Sequence, residues 1–214
     1  MIDLLALRWQ RALEAGRARS HDRMAERAGV RYESPATDKD LDAVQRALGR
    51  TIPASVAALY RISKSVNVWW DLGDTRPPKP YDEIFAGDCA WDLDHQGYLI
   101  DIYDGWVREV FSNAENPYDR VWHEKFPVLE VGNGDLIAVD LDGRPTYLSH
   151  DDGEGHGFVL GRDMVDFIDR WSRIGCPGPE DWQWLPFAPG RDAYIDPDGE
   201  SAQTWRTWFG LVDE

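Results

Sequence analysis

Apolar residues recur with a helical period along the first part of the chain. Leu5, Trp9, Ala12 and Leu13 fall at i, i+4, i+7 and i+8. With Met24 and Ala28 they predict an N-terminal helix that ends near Gly29, its opposite face lined with arginines. A second helix is marked at its start, where Thr37 can cap and Asp40 can return the hydrogen bond. Leu41, Val44 and Leu48 give it one apolar face, and Gly49 supplies the stop. Pro53 opens a third helix, since its missing N–H would be unpaired in a first turn anyway, and Val56, Leu59 and Tyr60 continue it.

After Asn67 the pattern turns to β. Val68, Trp69 and Trp70 read as a short aromatic strand. The loop at 74–80 cannot join a central strand, because its three prolines withhold backbone donors. Residues 98–103 alternate, with Tyr98, Ile100 and Ile102 on one side and Leu99, Asp101 and Tyr103 on the other, which predicts a further strand. Residues 127–131, 136–141 and 145–148 predict a meander. Its turns, Gly132-Asn133-Gly134-Asp135 and Asp142-Gly143, carry residues that tolerate positive φ. Met164, Phe167, Ile168 and Trp171 then predict a helix over 163–174, closed by Gly175. Beyond it the chain is too rich in proline for a sheet interior. Residues 176–214 read as an aromatic arm that wraps the same domain and ends in a short helix carrying Trp205, Trp208, Phe209 and Leu211. The organisation expected is a basic N-terminal helix over 1–31 packed on a domain spanning 32–175, with the arm at 176–214.

Composition narrows the functional classes. The 214 residues are 43% hydrophobic and 29% charged, enough to build a core without disulfides or a metal. The net charge is −16, unevenly spread. Residues 1–31 hold seven Arg against four acids, so they carry +3 and the remainder −19. A body that negative repels phosphate backbones and anionic membranes and attracts basic proteins, which argues against direct nucleic-acid or membrane binding. Cys89 and Cys176 read as reduced thiols. No secretory signal or membrane span is evident, and a cytoplasmic location is expected.

Catalytic motifs are sparse. His150 and His156 flank Asp151-Asp152-Gly153-Glu154-Gly155, a composition that could ligate a divalent metal, although the spacing matches no standard site. A solvated acidic loop and a partner-contact loop are the other readings. Ser149-His150-Asp151 cannot form a hydrolase triad as an extended segment, because neighbours point to opposite faces. Cys89 with His95 or His123 would make a thiol dyad, but such a cysteine is more often a small buried residue. Paired carboxylates near Trp69, Trp70, Trp91, Trp106 and Trp122 would suit a glycosidase. Among 39 acids and eleven tryptophans such pairings arise by chance, and core packing is the plainer role of these indoles.

The order of these elements carries a resemblance. The helical run at 41–53 and the strand 126–131, leading through Gly132-Asn133-Gly134-Asp135 into 136–141, resemble the SUKH superfamily over roughly residues 35–175. Its founding members include fungal regulators of cell-wall synthesis. Ser65-Val66-Asn67-Val68 departs from the pattern by lacking a glycine, and both terminal extensions lie outside the shared part. The resemblance implies an α+β fold with a mostly antiparallel sheet of about five or six strands flanked by helices. It implies a non-catalytic binding protein with no cofactor. Bacterial members are commonly immunity proteins that neutralise a toxin, often a nuclease; others are adaptors. The expected partner is therefore a basic protein such as a toxin domain, met by the acidic loops at Asp142 and at Asp151, Asp152 and Glu154. The alternatives are an intracellular adaptor in cell-envelope regulation, and a hydrolase or metal enzyme built on the His150 to His156 loop.

Overall fold

The computed structural model describes residues 1–20 and 28–211. In chain order its elements are α1 (Ile2–Arg19), β1 (Ala28–Tyr32), α2 (Asp38–Leu48), α3 (Ala54–Tyr60), β2 (Ser65–Asp71), β3 (Ala86–Asp92) and α4 (Gln96–Glu109). There follow α5 (Asp119–Trp122), β4 (Phe126–Glu130), β5 (Leu136–Val139), β6 (Pro145–Leu148), α6 (Met164–Arg173), α7 (Asp181–Trp184) and α8 (Glu200–Phe209). Local chemistry sets several of these limits. Thr37 and Asp40 form the reciprocal capping box of α2, and Gly49 ends it in the left-handed region. Asp163 caps α6 by accepting from the Asp166 N–H at 2.8 Å.

Two expectations are corrected. The N-terminal helix does not reach Gly29. It stops at Arg19, and Ala28–Tyr32 is instead a strand paired antiparallel with β2, while Met24 lies outside the described residues. Pairing with β2 buries Ala28 beneath the sheet, a tertiary gain that overrides the helical spacing of a single alanine. The second correction is the segment 98–103, which belongs to the helix α4. Its buried positions, Gln96, Leu99, Ile100 and Tyr103, recur every three to four residues; six alternating residues are too few to separate the two periods.

Among the described residues the six strands form two antiparallel sheets of three, β1-β2-β3 and β4-β5-β6, instead of one sheet. The outer edge of β3 is already occupied. Asp88 bridges Pro177 in parallel, and Gln183 Nε2 donates to the Ala86 carbonyl at 3.1 Å. On the facing side β4 carries Pro127, which has no N–H to offer a neighbour. The meander β4-β5-β6 is as expected, except that β5 ends at Val139 and Leu141 stands 80% exposed on the following turn.

α1 packs on β1, β2 and α6. Trp9 meets Trp91 edge-on at 6.2 Å, and Arg8 reaches Asp169 at 2.6 Å. At the other end of the chain, Trp70 Nε1 donates to the Gly175 carbonyl at 2.7 Å and Trp205 Nε1 to that of Ile174 at 2.8 Å. One apolar cluster therefore runs from Leu5 to Phe209, and a smaller one lies under α4 from Tyr103 to Leu148. Among the described residues no helix is long and apolar enough to cross a membrane.

Candidate functional site

β2 and β3 each bury alternate residues. Val66, Val68 and Trp70 with Gly87, Cys89 and Trp91 face the core. Their other faces form an open surface, on which the register sets Trp69 opposite Asp88, Asn67 opposite Ala90 and Ser65 opposite Asp92. Gly29 of β1 lies beside Trp69. A Cβ at Gly29 would stand 2.1 Å from the indole, so the missing side chain lets Trp69 lie flat across β1. The guanidinium of Arg31 then covers that ring at 5.4 Å from its centroid. Trp69 thus leans away from Asp88, and the β3 side of the face is left bare.

That bare side drops into a groove of about 340 Å³ between β3 and β4, with Asp88, Asp92 and Glu130 on its walls and His95 near its rim. Leu99, Val128 and Leu129 form its apolar part, and no Lys or Arg of the described residues lines it. Asp92 accepts the Asp94 N–H at 2.9 Å, which fixes the turn leading into α4. Tyr98 Oη reaches Glu130 at 3.5 Å, and its ring meets that of His95 at 4.6 Å. Asp88 stands exposed on the sheet face, and the protein packed around its carboxyl raises it above the usual range, against a hydrogen bond from the Cys89 N–H. Glu180, beside Gly132 at the end of the groove, is raised by burial first and then by the negative charges of Asp135 and Asp181.

The loop after β6 is built differently. Asp135 is buried, and its carboxylate accepts from the His150 N–H at 2.8 Å, His150 Nδ1 at 2.6 Å, Asn133 Nδ2 at 2.9 Å and the Tyr147 hydroxyl. Asp135, His150 and Asp151 bring one donor atom each within 4.8 Å of one another. The lone pairs of Asp135 are nevertheless spent on those four donors, so an ion would have to displace them. Ser149 Oγ is likewise engaged, with Asp151 and with the Gly153 N–H. His156 Nδ1 accepts the Ser149 N–H at 3.0 Å, and the Gly155 N–H donates to Asp181 at 2.8 Å. These polar groups hold the loop shape.

The acidic residues singled out from the sequence are exposed, but they do not converge. Asp142 sits on the turn between β5 and β6, 3.2 Å from Arg144. Asp151, Asp152 and Glu154 follow the far end of β6, because Leu136 pairs with Leu148 and Val139 with Pro145. The length of the hairpin separates the two groups. The thiol dyad is not assembled either. Cys89 faces the core beside Cys176, which together with burial raises its thiol, whereas His95 lines the groove and His123 Nε2 bonds the Phe111 carbonyl. Trp70, Trp91 and Trp122 are core residues, and Trp69 and Trp106 are half-buried. Sequence reasoning missed β3, whose period-two pattern, Gly87, Cys89 and Trp91 against Asp88, Ala90 and Asp92, is legible in the residues.

A family model described as SMI1 / KNR4 family (SUKH-1) matches residues 35–170, more than half of the chain. The chain belongs to that family. The SUKH resemblance carried by the α2 run and the β4-β5 hairpin is thereby confirmed. The SUKH-1 match takes in β2, β3 and β4, and with them both walls of the groove; α1, β1, α7 and α8 lie outside it. No curated protein and no solved structure matches this SUKH-1 chain.

Proposed function

We propose that this SUKH-1 protein is a non-catalytic binding module for a basic protein, in the manner of an immunity protein that neutralises a toxin. The observation that carries the reading is the open face of β2 and β3, bounded by a groove that is lined by three carboxylates and His95 and, among the described residues, by no Lys or Arg. A net charge of −16 supports it, because long-range attraction raises the rate at which a cationic surface is met. SUKH-1 membership supports it as well. The polar cluster around Asp135 is engaged in holding its loop, which speaks for a structural role there in place of chemistry.

Capture of partners from native cells by the tagged full chain, at low and high salt, tests the reading. One stoichiometric basic protein should be recovered, and its release should follow ionic strength. Recovery of many unrelated proteins would overturn neutralisation in favour of an adaptor. Turnover of a small substrate by the purified chain would overturn the binding-module reading itself.

A further inference from the structure

The groove between β3 and β4 combines two surfaces seldom needed together. Ala90 is its exposed apolar residue, above a floor of the closely packed Leu99, Val128 and Leu129, and Asp88, Asp92 and Glu130 offer carboxylates beside it. A long basic side chain has the same two parts, an apolar stem and a charged head. Asp88 and Ala90 project into the groove from β3, and the small Ala90 leaves depth next to the carboxylate. Trp69, drawn across Gly29 and covered by Arg31, does not cover Asp88. The hydrogen-bonded oxygen of Asp92 is turned to the Asp94 N–H; among the described residues no Lys or Arg lines the groove, His95 being its one imidazole, and Arg31 shares with Asp88 the neighbouring hollow on the β2 side.

We infer that this groove is the anchor site of the interface, taking one arginine side chain of the partner protein with its guanidinium between Asp88 and Glu130. The inference rests on the binding-module reading and adds to it which surface docks and which residue type is read. Arginine suits the site better than lysine, since a planar fork can bond two carboxylates at once and loses less hydration on entry. The acidic turn at Asp142 and the loop at Asp151, Asp152 and Glu154 would then steer the encounter from outside the anchor.

A titration of the labelled full chain with the blocked tripeptide Ac-Gly-Arg-Gly-NH2, followed by amide NMR, tests this. Saturable shifts are expected at residues 65–67, 88–92 and 128–132, and the Asp88 carboxyl should titrate at lower pH in the presence of the peptide. Asp88→Asn should weaken binding by about tenfold, the loss of one charge-assisted contact. Because Asp88 is exposed on a sheet face, the variant should keep the melting temperature of the parent; Glu130→Gln gives an independent second reading. Ac-Gly-Glu-Gly-NH2 should give no saturable shift. Saturable shifts confined to the Asp142 turn or the 149–156 loop would overturn the groove and leave the basic-partner reading standing. Unchanged affinity in both variants, or no saturable shift with the arginine peptide, would also overturn it; the capture experiment judges the wider reading separately.

Discussion

His156 is held neutral by the work of its two ring nitrogens. Nδ1 accepts the Ser149 N–H at 3.0 Å, so the proton sits on Nε2, which faces the Tyr118 carbonyl at 3.1 Å. The ring stacks on Tyr118 with centroids 3.7 Å apart. Burial lowers the affinity of the imidazole for a second proton and Arg191 adds to that, against the Tyr118 carbonyl, Asp135 and Asp152. The folded value thus lies below the unfolded one. In that case the stabilisation is complete above the ordinary imidazole value of about 6.5 and is lost as pH falls from there toward the depressed folded value. Urea unfolding should show lower stability at pH 5.5 than at pH 7.5. In His156→Gln that pH dependence should flatten, with a loss of about 1 to 3 kcal/mol at pH 7.5 from the disturbed Ser149 N–H. An unchanged slope in the variant would show that His156 does not sense pH in this fold.

At the scale of elements, the glycines divide into those that must stay and those, Gly105 among them, that need not. Trp70 lies across its cross-strand neighbour Gly87 on the core face, as Trp69 lies across Gly29 on the open face. A Cβ on Gly87 would stand 2.1 Å from Trp70 Nε1 and 2.4 Å from the Cys176 carbonyl, which is backbone and cannot swing aside. Gly87→Ala should therefore cost about 3 kcal/mol in urea unfolding and break the Trp70 bond to Gly175. Gly105, in the middle of α4, has open space around it, and Gly105→Ala should add about 0.5 to 1 kcal/mol. A loss at both positions would place the constraint in the backbone and not in Trp70. The same elements mark what the residues disclose. Thr37, Asp40, Gly49, Pro53 and the Gly132 to Asp135 turn announce α2, α3 and the meander, because caps and turns are local chemistry. In α4 and β1 short apolar patterns fit two periods, and tertiary packing for the one and strand pairing for the other decide between them. The groove was hidden for a further reason. It exists only because β3 and β4 come together from either side of α4 without pairing, and no spacing along the chain encodes that approach.

For the whole molecule the question is what joins two sheets that share no ladder. The segment after α6 meets both. Trp205 and Phe209 of α8 pack on Trp70 of the first sheet, Phe209 at 4.6 Å between centroids, and Trp184 meets Tyr147 of the second sheet at 5.2 Å. Phe187 stacks on Tyr81 at 5.9 Å, and Pro177 closes the edge of β3. The four large side chains Trp184, Phe187, Trp205 and Phe209 are at most 2% exposed. Burial of roughly 2 to 3 kcal/mol for each is comparable with the whole margin of about 5 to 15 kcal/mol by which a domain is stable. This segment lies beyond residue 170, where the SUKH-1 match ends. A chain cut after Gly175 should accordingly lose its cooperative thermal transition and bind a hydrophobic dye, because Trp70 and Tyr147 would lose the aromatic side chains that cover them and the shared apolar cluster would open to water on that side. The groove would fail with it, since Gln183 and Pro177 no longer hold β3 in place opposite β4. A truncated chain that melts sharply within a few degrees of the full one would reduce the segment to an ornament on a self-sufficient domain.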